Sequence, residues 1–217
     1  MRMAQLSETS SIPVATIKLY LREGLLPPGT RTGPNQAQYG PPHVRRLKLI
    51  QALVRLGRLS LAAAGEVLDA IDSDLPLIQT LGIAQRAATR AVDRERIRPV
   101  DLDRVDALIA DWHVIPGGCG RFDAAAAVTA LQESGLKVTD DWYRRYAAAA
   151  LAVAEADLDL VDAQEARSAK AETVVVGTVL GDALFAGLRR AAQEHVSYTR
   201  YAAGVGKRPS PGSPGEN

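Results

Sequence analysis

The chain has 217 residues, 47% apolar and 24% charged, enough to bury a sizeable core and too ordinary a balance for a fibrous or disordered class. The net charge of +1 conceals an asymmetry: residues 1–58 hold nine Lys or Arg against two acids, net +7, and residues 59–217 hold seventeen against twenty-three, net −6. A basic module joined to an acidic remainder suits a polyanionic partner, and the single Cys119 excludes an internal disulfide or a four-thiolate metal site within one chain.

Met3, Leu6 and Thr9 fall at helical spacing, Ser10 to Ile12 make a turn, and Pro13 opens a second helix carrying Val14, Ile17 and Leu21. Two short helices joined so tightly form a helix-turn-helix. Ile17 and Leu21, four apart, are expected to face inward, leaving Thr16, Lys18, Tyr20 and Arg22 on the outer surface. A hydroxyl, a phenol and cations can each hydrogen-bond phosphate or a base edge, and a helix fits the major groove of DNA. The bland alternative for Lys18 is a solvated charge. Beyond Gly24-Leu25-Leu26-Pro27, a turn-rich stretch reads as a two-stranded wing, with Arg31 on one arm and Gln38 and Tyr39 on the other. Packing beneath the wing is the alternative for Tyr39. From Pro42 onward, Val44, Leu47, Ile50, Leu53, Val54 and Leu56 repeat at threes and fours with Arg45, Arg46, Lys48 and Arg55 between them, an amphipathic cationic helix.

A helix to Ile71 follows, closed by Asp72-Ser73-Asp74-Leu75-Pro76, so a boundary is expected near residue 72. Leu75 to Ile97 reads as helical; Pro99 stops or kinks it, and Asp101 caps a helix bearing Leu102, Val105, Leu108, Ile109 and Trp112 on one face. A Pro/Gly loop at 115–120 precedes a helix from Phe122 to Glu133, and Thr139 caps a long helix to about Ala166. The last helix spans about 170–202. Its apolar stretch Val174 to Leu188, broken by Asp182 and shorter than the roughly 20 residues that span a bilayer, reads as buried. Gly177 and Gly181 form a small-xxx-small pair expected to let helices approach. The tail from Ala203 to Asn217 holds too little apolar surface to fold.

The stretches PVATIKLYLREGLLPP (13–28) and QYGPPHVRRLKLIQALVRLGRLSL (38–61) resemble the DNA-binding domain of MerR-type transcription regulators. The family pattern finds Thr16, Ile17, Tyr20, Gly24, Leu25, Leu26, Tyr39, Val44, Arg46, Leu47, Ile50, Leu56, Gly57, Ser60 and Leu61 in register. The match covers about a third of the chain. Lys18 replaces the helix arginine, keeping charge but losing the bidentate fork, and Leu19 replaces the first of two tyrosines. Asn35-Gln36-Ala37 stands where Gly-Tyr-Arg is usual, so the wing arginine is absent, and His43 stands for an Asp. Arg31 or Arg45 is left to compensate. The resemblance implies a homodimer bound to a pseudo-palindromic promoter operator, distorting it for RNA polymerase. Its dimer contact is expected on Leu75–Ile97 or Leu102–Trp112, the second having the better apolar face.

The expected fold is mainly α: a winged helix-turn-helix DNA-binding domain at 1–72, linker or dimerisation helices at 73–113, a helical effector-binding domain at 114–202 and a disordered tail at 203–217. Trp112, Trp142, Tyr143 and Tyr146 are the candidate lining of a pocket for an apolar or cationic small molecule, with core packing as the plainer reading. Cys119 with His113 is too sparse a set for a metal, and no cofactor is expected. Glu155, Asp157, Asp159, Asp162 and Glu165 read as a solvated face. Scattered histidines recommend no catalytic constellation, so a non-enzymatic, cytoplasmic DNA-binding regulator without a membrane segment is expected. An excisionase-like architectural protein is the alternative, and the large C-terminal half argues against it.

Overall fold

The computed structural model describes residues 1–33, 36–89, 92–115 and 117–201. The expected disordered tail and the wing tip at Pro34 and Asn35 lie outside them. Backbone contacts divide the chain into Met1–Gly181 and a second unit beginning at Asp182.

Helices α1 (Met3–Ser10) and α2 (Val14–Arg22) form the helix-turn-helix. Ser11, at φ 56°, ends α1 in the left-handed region, and the Ser10 hydroxyl donates to the Leu6 carbonyl at 2.7 Å. Strands β1 (Thr30–Gly33) and β2 (Gln36–Gln38) pair antiparallel, Thr30 opposite Gln38 and Arg31 opposite Ala37. Helix α3 (Pro41–Gln51) continues as one π-helical turn, Ala52–Leu56. Helix α4 (Leu61–Asp72) starts at Ser60, whose hydroxyl accepts from the Ala63 amide at 3.1 Å. Leu6, Ile12, Ile17, Leu47, Ile50 and Leu53 are fully buried at the centre of this core.

Among its described residues the second half has helices joined by loops and no strand, with boundaries that depart from expectation. Helix α5 runs Leu77–Ala88, not to Ile97; a 3-10 turn follows at Arg94–Arg96. Pro99 opens α6 (Pro99–Leu108) instead of ending a helix, because a proline at the first helical position withholds an amide that would have no partner there. Asp101 is not a cap: it is 2% exposed inside α6, and its two carboxylate oxygens accept from Nε and Nη2 of Arg98, at 2.6 and 2.9 Å. Helix α7 (Cys119–Glu133) packs on α6 through Val105, Ala125 and Val128, with Tyr143 completing this second cluster. Helix α8 (Asp140–Asp162) begins at Thr139, whose hydroxyl accepts from the Trp142 amide at 3.3 Å, as its sequence predicts.

Helix α9 (Arg167–Tyr201) is the longest. Val175 and Val179 belong to the N-terminal core, whereas Leu184, Phe185 and Leu188 are exposed, so only the first part of the apolar stretch is buried. By length and composition α9 could cross a bilayer, its most apolar window having a mean hydropathy of 1.5 and being 22% buried. The buried valines assign that part of the helix to a protein core. Of the glycine pair, Gly177 has nothing within 4 Å of its would-be Cβ, and Gly181 has only the Asp157 carboxylate, at 3.8 Å. The close approach is made at Gly57 instead, where a Cβ would strike Val179 and come within 2.6 Å of the Leu53 carbonyl oxygen.

Candidate nucleic-acid interface

Helix α2 buries Ile17 and Tyr20 and leaves Lys18 and Arg22, four residues apart, exposed together with Ala15. Thr16 lies half-buried at the edge of this face. Tyr20 is the correction: at 6% exposure it belongs to the core, not the outer surface. It sits one turn beyond Ile17 on the same face, and a phenol brings enough apolar ring to be drawn inward there. Arg22 has an exposed ion pair with its neighbour Glu23 at 3.3 Å, too solvated to hold it away from another anion.

On the wing, Arg31 and Gln38 are exposed, as is Gln36. Tyr39 is 8% exposed and packs beneath the wing, edge-on to His43 with ring centroids 5.2 Å apart. Its carbonyl accepts from the Met1 nitrogen at 2.8 Å. Gly29 is required by this packing: a Cβ there would lie 2.6 Å from the Gln38 carbonyl and 2.9 Å from the Tyr39 ring. His43, standing where the resemblance has Asp, accepts the Gly40 amide at Nδ1 at 3.0 Å, so an imidazole serves as the acceptor at the start of α3.

The two arginines of α3 differ. Arg46 is 13% exposed, forks onto both Asp72 oxygens at 3.1 and 2.7 Å and gives Nε to the Leu25 carbonyl at 3.0 Å, tying α3 to α4 and to the turn after α2. Arg45 is 80% exposed and lies 3.6 Å from Glu172 of α9. Sequence reasoning missed Arg2, whose exposed guanidinium donates to the Gln36 side chain of β2 at 3.2 Å. A cation ahead of the first helix shows no periodicity; only folding sets it beside the wing.

A family model described as MerR HTH family regulatory protein matches residues 1–71. Among solved structures, that of SCO5550 from Streptomyces coelicolor A3(2), described as a candidate transcriptional regulator, is 32% identical, with a TM-score of 0.71 over 95% of this chain and 100% of that one. The chain belongs to the MerR family. No curated protein matches it. As a MerR-family protein it is a DNA-binding regulator of transcription, and the family points to a regulator, not an enzyme.

Away from the DNA-binding domain of this MerR-family chain, α6 and α8 enclose a groove of about 670 Å³. Trp112, Leu108, Tyr143, Ala147 and Leu151 form its apolar wall, and Arg104 and Asp140 are ion-paired at its rim. Of the four aromatic candidates, Trp112 and Tyr143 line the groove, whereas Trp142 and Tyr146 do not; Trp142 stacks on Tyr146 with centroids 4.0 Å apart and meets the Tyr143 ring edge-on at 5.3 Å. Among the described residues, no three His, Cys, Asp or Glu side chains gather as metal ligands.

Proposed function

We propose that the chain binds a pseudo-palindromic promoter operator as a homodimer in the cytoplasm, without catalysing a reaction, and distorts the duplex so that RNA polymerase engages both promoter elements. The observation that carries this reading is the exposed pair Lys18 and Arg22 on α2, within a module of net charge +7. Thr16 and Arg22 flank Lys18 for base edges and phosphates, and Tyr20 and Tyr39 hold the recognition helix and wing from within. With no arginine at its usual place on the wing, Arg31, Gln38 and Arg2 take the phosphate contacts there, and Arg45 supplies another from α3.

Bending and untwisting a site costs several kcal/mol, which must come largely from backbone contacts. If each subunit neutralises about four phosphates, the dimer shows a log–log salt slope near −7. Selection of bound sequences from random duplex DNA tests the reading: a symmetric site supports the homodimer, and an asymmetric single half-site overturns it. The groove between α6 and α8 is the place for an apolar or cationic effector, with Trp112 and Tyr143 as its aromatic walls. A thermal-shift screen of such compounds is expected to find stabilisers whose effect Trp112→Ala removes; stabilisers indifferent to that change sink the assignment.

A further inference from the structure

The start of α9 meets the DNA-binding domain across a pocket of about 880 Å³. Leu49 of α3, Ile71 at the end of α4 and the rings of Pro27 and Pro42 give it an apolar lining. Charges of both signs surround that lining and are unevenly satisfied. Arg46 and Asp72 occupy each other through the fork described above. Arg45 and Glu172 stand 3.6 Å apart, too far for a hydrogen bond. Asp74 is exposed and Arg167 half-buried, and neither has an ion pair among the described residues. Arg167 donates to the Leu75 carbonyl, which anchors its guanidinium beside the pocket. Ser168 adds a hydroxyl, and both residues lie in the first turn of α9, where helix amides favour an anion. His43 accepts the Gly40 amide at Nδ1, so its neutral ring has an N–H to offer from Nε2.

We propose that this pocket binds a short peptide with free ends and apolar side chains, and that the bound peptide weakens the grip on DNA. Arg45 and Arg167 take the carboxylate end, Asp74 takes the ammonium end, and the side chains lie on Leu49, Ile71 and the prolines. Charge decides the class. Arg45, Arg46 and Arg167 stand against Asp72, Asp74 and Glu172, so a simple anion or cation meets repulsion along with attraction, whereas a zwitterion is matched at both ends. Volume decides the length. Pockets of about 300–1,000 Å³ hold drug-sized molecules, so a single amino acid would leave most of this one to water, and about two or three residues fill it. The effect on DNA follows from Arg45, and this step rests on the phosphate contact assigned to that residue above. A guanidinium held by a ligand carboxylate is withdrawn from the operator, so the peptide acts as an antagonist of DNA binding.

Titration calorimetry of the full chain with L-leucyl-L-leucine, its C-terminal amide and its N-acetyl form tests this. The free dipeptide is expected to bind about 10-fold or more tightly than either capped form, since each cap removes a charge-assisted contact. L-leucine is expected to bind about 10-fold more weakly than the dipeptide, having half its apolar surface. Asp74→Asn should erase the preference over the N-acetyl form and keep that over the amide; Arg167→Gln should do the reverse. Opposite changes in selectivity separate ligand contacts from misfolding. Trp112→Ala, in the groove between α6 and α8, should change none of these. Saturating dipeptide should weaken operator binding by about 3- to 10-fold in the wild type and leave Arg45→Gln unaffected. A dipeptide that does not bind, or binds no better than L-leucine or its capped forms, overturns the site. So does binding lost in Trp112→Ala and kept in Asp74→Asn. A selectively bound dipeptide that leaves operator affinity unchanged overturns the antagonism; if Arg45→Gln then also leaves the salt slope unchanged, the failure lies in the phosphate contact and not in the pocket.

Discussion

At the scale of single residues, local backbone and local charge make separable demands. Ser11 holds φ at 56° without being a glycine. Relief of the left-handed strain is worth about 1–2 kcal/mol and glycine's extra freedom in the unfolded chain takes back about 0.4–1, so Ser11→Gly should stabilise by roughly 0.5 kcal/mol, read from urea midpoints at constant m. On α2, Lys18→Ala and Arg22→Ala should each flatten the salt slope of operator binding by about 2, one phosphate per subunit. Tyr20→Phe should leave that slope unchanged, since the ring is in the core. A slope that moves with Tyr20→Phe and not with Lys18→Ala would reverse the assignment.

Two buried or half-buried acids of the second half set its response to pH. The Arg98 guanidinium, hydrogen-bonded to Asp101, holds that carboxyl below its ordinary 3.8 against the opposing effect of burial, with Thr129 adding a hydrogen bond; Arg121 does the same for Asp106. A carboxylate whose folded value is lowered contributes stability that is complete above 3.8 and is lost as pH falls through the lower folded value. Burial acts oppositely on Asp123 and Asp157, raising both, so they favour the folded state in acid and soften the loss. Below about pH 4 thermal melting should therefore fall, and Asp101→Asn should flatten that acid limb. An acid limb identical to wild type in that variant would remove Asp101 from the explanation.

Among elements, the contact between the end of α3 and α9 is the most exacting. The π-helical turn at Ala52–Leu56 leads into Gly57, which has room for nothing beyond hydrogen because Val179 and the Leu53 carbonyl close on it. Gly57→Ala is expected to cost about 1–3 kcal/mol as an overpacked site. Val179→Ala should rescue it only in part, since the carbonyl oxygen belongs to backbone that cannot step aside. Full rescue in equilibrium unfolding would mean that the side chain alone makes the constraint.

For the molecule as a whole, the first part of α9 packs the C-terminal half against the DNA-binding domain. Val175 and Val179 complete the N-terminal core, Arg167 donates to the Leu75 carbonyl, and Glu172 stands beside Arg45. An exposed ion pair is worth at most about 1 kcal/mol, so Glu172→Gln should tighten operator binding by up to about 5-fold as Arg45 is freed for phosphate. Unchanged affinity would show that Arg45 reaches DNA without leaving Glu172, or does not reach it.

The helix-turn-helix, wing and amphipathic third helix were legible because each rests on short-range rules. Apolar spacing sets α1, α2 and α3, proline and glycine punctuate the wing, and in the second half Thr139 caps α8 by accepting from an amide three residues ahead. Misread features depended on what lies across the fold. Asp101 looks like a cap until Arg98 and Thr129 are placed around it, and Tyr20 looks like a groove residue until the core beside Ile17 is built. Likewise the four aromatics read as one pocket in sequence, yet only Trp112 and Tyr143 line the groove, since residues 142 and 143 point a quarter-turn or more apart on one helix. The sequence by itself determined a basic winged helix-turn-helix on a helical acidic body, because periodicity and charge are properties of neighbours along the chain. Only the tertiary structure decided which cations face outward and which aromatic rings are drawn into the core, because burial is a property of neighbours in space.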